Sequence, residues 1–247
     1  MNSNPQEGTS VKKYGLAFHT ATPELGLAIS NFAGDSRCQT WNLGRSLATD
    51  LHQHLVEFIE PQTWADLAFI AVAKGPGGFT GTRMGMVTAR TLAQQLDIPV
   101  FAISTLAAVA WAQPPQPPLA SGGVLSAELP LASGGLLSAE PALGKGGLLS
   151  IALQMPAQRG QLFGAVYSVN KDSGLTELFP DTVMTAESWQ EKLESWENSY
   201  QLIEVGSELG SSVSSVLELA YLEWKQGSRP DWSGALPYYG QHPVKGH

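Results

Sequence analysis

Twelve residues, Lys74-Gly75-Pro76-Gly77-Gly78-Phe79-Thr80-Gly81-Thr82-Arg83-Met84-Gly85, hold the types that could do chemistry at close spacing. Glycines and threonines at the start of a helix can aim backbone N–H groups at an anion. Gly77, Gly78 and Thr80 are candidates for such a nest, and Arg83 would add a charge. The stretch is not a Walker A loop, which ends in Gly-Lys-Ser/Thr, because Gly81 is followed by Thr82-Arg83. It is not G-x-G-x-x-G either. A packing reading stands beside the anion reading. Gly81, Gly85, Ala89 and Ala93 recur every four residues, a line of small side chains that lets a helix approach a neighbour closely.

Other chemistry has less support. His52 and His54 sit two apart on a helical run and point in different directions, whereas helical zinc pairs are four apart. His19, His242 and His247 are isolated. There is no G-x-S-x-G elbow and no glycine-framed carboxylate pair. Arg159-Gly160 reads as a solvated turn. No catalytic residue and no metal ligand is assigned.

The elements around the motif follow from its neighbours. Leu67 to Ala73 is a continuous apolar run, as expected of a strand buried on both faces. Met86 to Leu96 reads as a helix ending near Asp97. Tyr14–Phe18 and Leu25–Ser30 read as a hairpin, with a third strand at Cys38–Trp41. Gly44 to Glu60 reads as an amphipathic helix with Leu47, Leu51, Leu55, Phe58 and Ile59 on one face, stopped by Pro61. Pro99–Ile103 is another strand, and Ser104 caps a helix running to Trp111. The order β-β-β-α-β-α-β-α predicts an α/β domain with a mixed sheet over residues 13–112.

The pattern breaks at 113–147. A proline-rich run precedes Ser121-Gly122-Gly123-Val124-Leu125-Ser126-Ala127-Glu128, which recurs as Ser133-Gly134-Gly135-Leu136-Leu137-Ser138-Ala139-Glu140. Lys145 to Ala152 is an imperfect third copy, read as the original strand. Repeats this short and few cannot build a solenoid core, so the segment reads as a flexible inserted loop. A second α/β unit is expected over 148–229. It would hold strands at Leu148–Leu153, Gly160–Val169 and Gln201–Val205, and helices at Ala186–Trp196, capped near Thr185, and Ser211–Trp224. Residues 230–247, rich in Pro, Gly and aromatics, read as a strap over the fold. Residues 1–12 read as a disordered tail with no signal-peptide core.

Composition narrows the function. The 247 residues are 43% apolar and 15% charged, with net charge −8. That excess of acid argues against independent binding to a nucleic-acid backbone. The one cysteine, Cys38, cannot form an internal disulfide, pointing to a reducing compartment, and it reads as a half-buried strand residue. No apolar run approaches the roughly 20 residues of a membrane span, and the expected location is cytoplasmic.

The motif from Lys74 to Gly85, with Ala89-Arg90-Thr91-Leu92-Ala93 after it, resembles the signature of the TsaB (YeaZ) family. Leu16-Ala17-Phe18-His19-Thr20-Ala21-Thr22, Ile98-Pro99-Val100, Ile103-Ser104-Thr105-Leu106 and Ala157-Gln158-Arg159-Gly160-Gln161-Leu162-Phe163 extend the resemblance. It implies two domains of the actin, sugar-kinase and Hsp70 (ASKHA) type. It implies a non-catalytic dimerization subunit in the synthesis of threonylcarbamoyladenosine at position 37 of tRNA. Such a subunit would bind and activate the catalytic TsaD, with TsaE as ATPase and tRNA reached only through the complex. Homodimerization when alone, and a nucleotide at a shared interface, are both compatible with the resemblance; no cofactor of the chain's own is implied. The partner face would be formed by the helices Leu47–Ile59 and Thr82–Leu96, through Leu47, Leu51, Leu55, Gly81, Gly85, Ala89 and Ala93. Gly85→Leu or Ala89→Glu would then weaken association.

Two positions depart from the family pattern. His19 stands where an Asp is usual, and an imidazole cannot support a metal–phosphate complex as a carboxylate does. Pro156-Ala157-Gln158-Arg159 replaces an Asp-Ala-Arg turn. A glycoprotease-like peptidase and an ATP-dependent small-molecule kinase on the same fold are the alternatives. The first lacks a nucleophile or metal signature; His19 counts against the second.

Overall fold

The computed structural model describes residues 13–114, 150–171 and 174–240. The expected tail at 1–12, nearly all of the repeat insertion and the last seven residues lie outside them.

The first half forms the mixed sheet expected of it. Its strands are β1 (Tyr14–His19), β2 (Glu24–Ser30), β3 (Ser36–Asn42), β4 (Leu67–Ala73) and β5 (Val100–Ile103), in the order β3-β2-β1-β4-β5. β1, β2 and β3 pair antiparallel, whereas β4 pairs parallel with both β1 and β5. The central strands β1 and β4 are buried on both faces, which is why both read as nearly unbroken apolar runs. β3 is an edge strand and mostly exposed. Cys38 on it is exposed, not half-buried as expected.

Helices cover both faces. α1 (Leu47–Ile59) and α2 (Phe79–Leu96) lie on one, packing Leu51, Leu55, Met86 and Ala89 against Leu16, Phe18, Ile70 and Val72. The other face meets α5 (Val213–Lys225), on which α3 (Thr105–Ala112) packs. α3 is buried almost all round and is capped by the Ser104 hydroxyl, which accepts from Ala107 N–H at 3.1 Å.

The second sheet runs β8-β7-β6-β9, from β6 (Ser150–Pro156), β7 (Gln161–Asn170), β8 (Gly174–Thr185) and β9 (Tyr200–Glu204). It too is mixed: β6 pairs antiparallel with β7 and parallel with β9. α4 (Ala186–Glu194) starts where expected, its Thr185 cap accepting from Ser188 N–H, and it presses Trp189 on Ala152 and Val166. β8 is absent from the sequence reading. It carries Pro180 in mid-strand, and proline inside a run argues against a paired strand. The strand tolerates it at a bulge, where Pro180 and Asp181 together oppose Ala165.

α3 and α5 fill the space between the sheets, so Phe69, Phe101 and Leu106 share one core with Ile151, Tyr167 and Val216. α5 comes from the second half of the chain yet packs on β1, β2 and β4 of the first sheet. The structural layers therefore do not divide at the insertion as the chain does.

Candidate functional site

The glycine motif is a joint between β4, α2 and the β1–β2 turn. α2 begins at Phe79, so Thr80 to Gly85 are helix and not loop. Lys74 N–H donates to Ile103 O, and Thr105 N–H to Gly75 O, both at 2.8 Å. Gly78 N–H donates to Ala21 O at 2.6 Å. A Cβ at Gly77 would strike Ala21 O; one at Gly81 would strike Thr20 O; one at Gly85 would strike Thr20 Oγ1. Thr20 Oγ1 in turn donates to Gly81 O at 2.8 Å. These glycines let the first two turns of the helix lie directly on the hairpin.

A cleft of about 490 Å³ opens beside the joint, with Thr20, Thr22, Arg45, Thr80, Met84 and Met155 in its wall. Gly78 lines it, but its N–H is already bonded to Ala21 O. Neither Gly77 nor Arg83 lines it, so the four residues of the expected nest do not converge. The arginine at the cleft is Arg45, from the 3-10 turn before α1.

His19 ends β1 and is completely buried, with no hydrogen-bond partner at either ring nitrogen. Burial lowers its pKa from 6.5 to about 4, so the ring is neutral at physiological pH. The ring is thus enclosed and uncharged, and it is not part of the cleft wall.

A polar seam joins the two sheets, and sequence reasoning missed it. Tyr167 on β7 donates to Asp181 Oδ1 at 2.8 Å, and its hydroxyl lies 3.4 Å from Ser104 Oγ. Burial raises the Asp181 pKa, opposed by its bonds to Ser104 and Tyr167 and by the Lys74 charge. Burial also raises the Glu223 pKa, again opposed by Lys74. Lys74, the first residue of the motif, thus acts between two acids. The bulge turns Asp181 inward, and Pro180 inside a β-like run is the signal that marks it.

The seven residues expected at a partner face point inward. Leu47, Leu51 and Leu55 are buried on the first sheet, as are Ala89 and Ala93. Gly81 and Gly85 lie against Thr20. The stripe permits close approach, but to the chain's own hairpin and sheet. The outer faces of the helices carry other residues. Val56 on α1 is 57% exposed and Val87 on α2 is 54% exposed. α1 bears Asp50 and Glu57, followed by Glu60, with no Lys or Arg; α2 bears Arg83 and Arg90 with no acid.

Fold and site define a mixed α/β protein of two sheets with helices between and outside them, whose glycine-rich turn is a packing joint. A solved structure from Pseudomonas aeruginosa, described as an uncharacterized protein with similarity to peptidase YEAZ, has the same fold. Its TM-score is 0.65 at 18% identity, over 93% of this chain and all of that one. The TsaD family model, tRNA N6-adenosine threonylcarbamoyltransferase, matches residues 57–127. The tRNA threonylcarbamoyladenosine biosynthesis protein TsaB of Bacillus subtilis (strain 168) is 56% identical over 45 residues, 18% of this chain and 20% of that protein. TsaB of Buchnera aphidicola subsp. Schizaphis graminum is 48% identical over 48 residues, 19% of this chain and 23% of its own. The chain thus spans about a fifth of the length of these curated relatives. Over these stretches the chain is similar to TsaB proteins, and its fold is that of the YeaZ structures.

Proposed function

We propose that this chain is a non-catalytic partner subunit in the biosynthesis of threonylcarbamoyladenosine in tRNA, docking a TsaD-type catalytic subunit on the outer faces of α1 and α2. The observation that carries the reading is the pairing of exposed Val56 and Val87 with opposite charge on the two helices. An acidic helix beside a basic one suits a partner that offers a similar helix pair turned about, acid facing base around an apolar middle. A second copy of the chain would satisfy the same pattern when the partner is absent. The enclosed His19 supports a role without phosphate chemistry of its own. On this reading the chain works in the cytoplasm, needs no cofactor, reaches tRNA only through the complex, and has TsaE as a further companion.

The residues to test are the outward ones. Val87→Asp and Arg83→Glu each weaken co-purification with TsaD at least tenfold at unchanged melting temperature. Glu57→Arg combined with Arg83→Glu does not restore it, because both changes then repel the same partner. Unchanged co-purification for Val87→Asp and Arg83→Glu refutes this docking face. Threonylcarbamoyl transfer to tRNA is assayed with the chain alone and mixed with TsaD, TsaE and threonylcarbamoyl-AMP. Turnover by the chain alone refutes the non-catalytic role.

A further inference from the structure

The described part of the C-terminal strap crosses several elements. Pro230 O accepts from Val100 N–H at the edge of β5, at 3.2 Å. Trp232 lies under the Arg90 guanidinium, 5.7 Å from ring centroid to Cζ, and Ala235 is buried in the core beneath α2. The strap therefore runs back along α2 toward that helix's first turn. There Tyr238 reaches both sheets. Its N–H donates to Lys74 O at 2.7 Å, just after β4, and its hydroxyl donates to Asp181 O at 2.5 Å, in the β8 bulge. The next residue, Tyr239, rests on Phe79, the first residue of α2, with ring centroids 4.5 Å apart.

The path is built for this fit. Gly75 has φ +102°, and a Cβ there would strike Tyr238 O. Gly240 has φ +62°, and a Cβ there would strike the Phe163 ring of β7. Both positions favour glycine for backbone reasons and forbid a side chain for steric ones.

We infer that the strap is a mechanical coupler: Tyr238 clamps the seam between the sheets, and Tyr239 passes the state of that seam to the first turn of α2. Tyr238 and Tyr239 share a peptide unit, and the Tyr238 N–H is itself bonded to Lys74 O, so a backbone shift at one grip is carried to the other. On the reading of α2 as a partner helix, docking would be felt at the seam and the seam would tune docking. The coupling itself belongs to the free chain and stands apart from that reading.

Amide hydrogen exchange on the full chain tests it, with no partner present. Tyr238→Phe removes only the bond to Asp181 O and keeps the ring and the N–H. Exchange then rises at least threefold around Thr182 in β8 and also at Thr82 to Gly85 in α2, while β2 and α4 stay unchanged. Tyr239→Ala produces the same paired response from the other end. An effect of Tyr238→Phe confined to β8, or of Tyr239→Ala confined to α2, overturns the coupling. So does an equal rise at every amide, which would report global opening instead.

Discussion

His19 offers a prediction whose size follows from its surroundings. The unfolded chain takes up a proton on this ring near pH 6.5, whereas the buried ring resists it until about pH 4. The unfolded state therefore binds more protons between those values, and stability falls as pH drops through the window. Above pH 6.5 the full stability is present; below pH 4 the loss levels off. The interval of roughly 2.5 pH units corresponds to about 3 kcal/mol in all, most of it lost by pH 4.5. His19→Leu removes the titration and also two buried nitrogens without partners. Urea unfolding followed by tryptophan fluorescence, at pH 7.5 and 4.5, gives the stability of each protein. Asp181 and Glu223, whose raised pKa values act in the opposite sense, are present in both proteins and cancel in the difference. The variant is at least as stable as the parent at pH 7.5, and gains about 2 to 3 kcal/mol on it between pH 7.5 and 4.5. An equal difference at both pH values would mean that the ring titrates alike in the folded and unfolded chain and is not enclosed, and the argument against phosphate chemistry at this strand end would fall with it.

Two further outcomes follow from burial. Gly85→Leu drives a side chain into Thr20 Oγ1, so it destabilises the fold by upward of about 3 kcal/mol and lowers the melting temperature before any partner is added; a variant that melts with the parent would refute the joint. Cys38 is exposed on an edge strand, so a thiol reagent labels the native chain to one equivalent without denaturant, and labelling that needs urea would contradict its placement.

How much of this was legible in advance differs between elements. The run Leu67–Ala73 and the α1 positions Leu47, Leu51, Leu55, Phe58 and Ile59 were readable because burial imposes a period on a chain. The small-residue stripe showed that something approaches α2 closely. It could not show what, since a sheet, a hairpin and a second chain all ask for the same small side chains. The answer, Thr20, lies 61 residues away from Gly81. β8 escaped because its proline sits at a bulge, and a bulge exists only relative to the strand opposite it. The Asp181–Tyr167–Ser104 seam was invisible for the same reason: its members come from three elements and become neighbours only when both sheets close on α3 and α5.

The sequence by itself determined the order and type of the strands and helices in the first half, though not the start of α2 at Phe79, and the family its motif resembles, because periodicity and local glycine spacing are properties of the chain. Tertiary structure alone decided that the motif is a packing joint on the hairpin, that the expected partner residues face inward while Val56 and Val87 face outward, and that the strap ties the two sheets together. Each of those depends on which distant backbone atom occupies the space beside a residue, and spacing along the chain carries no record of that.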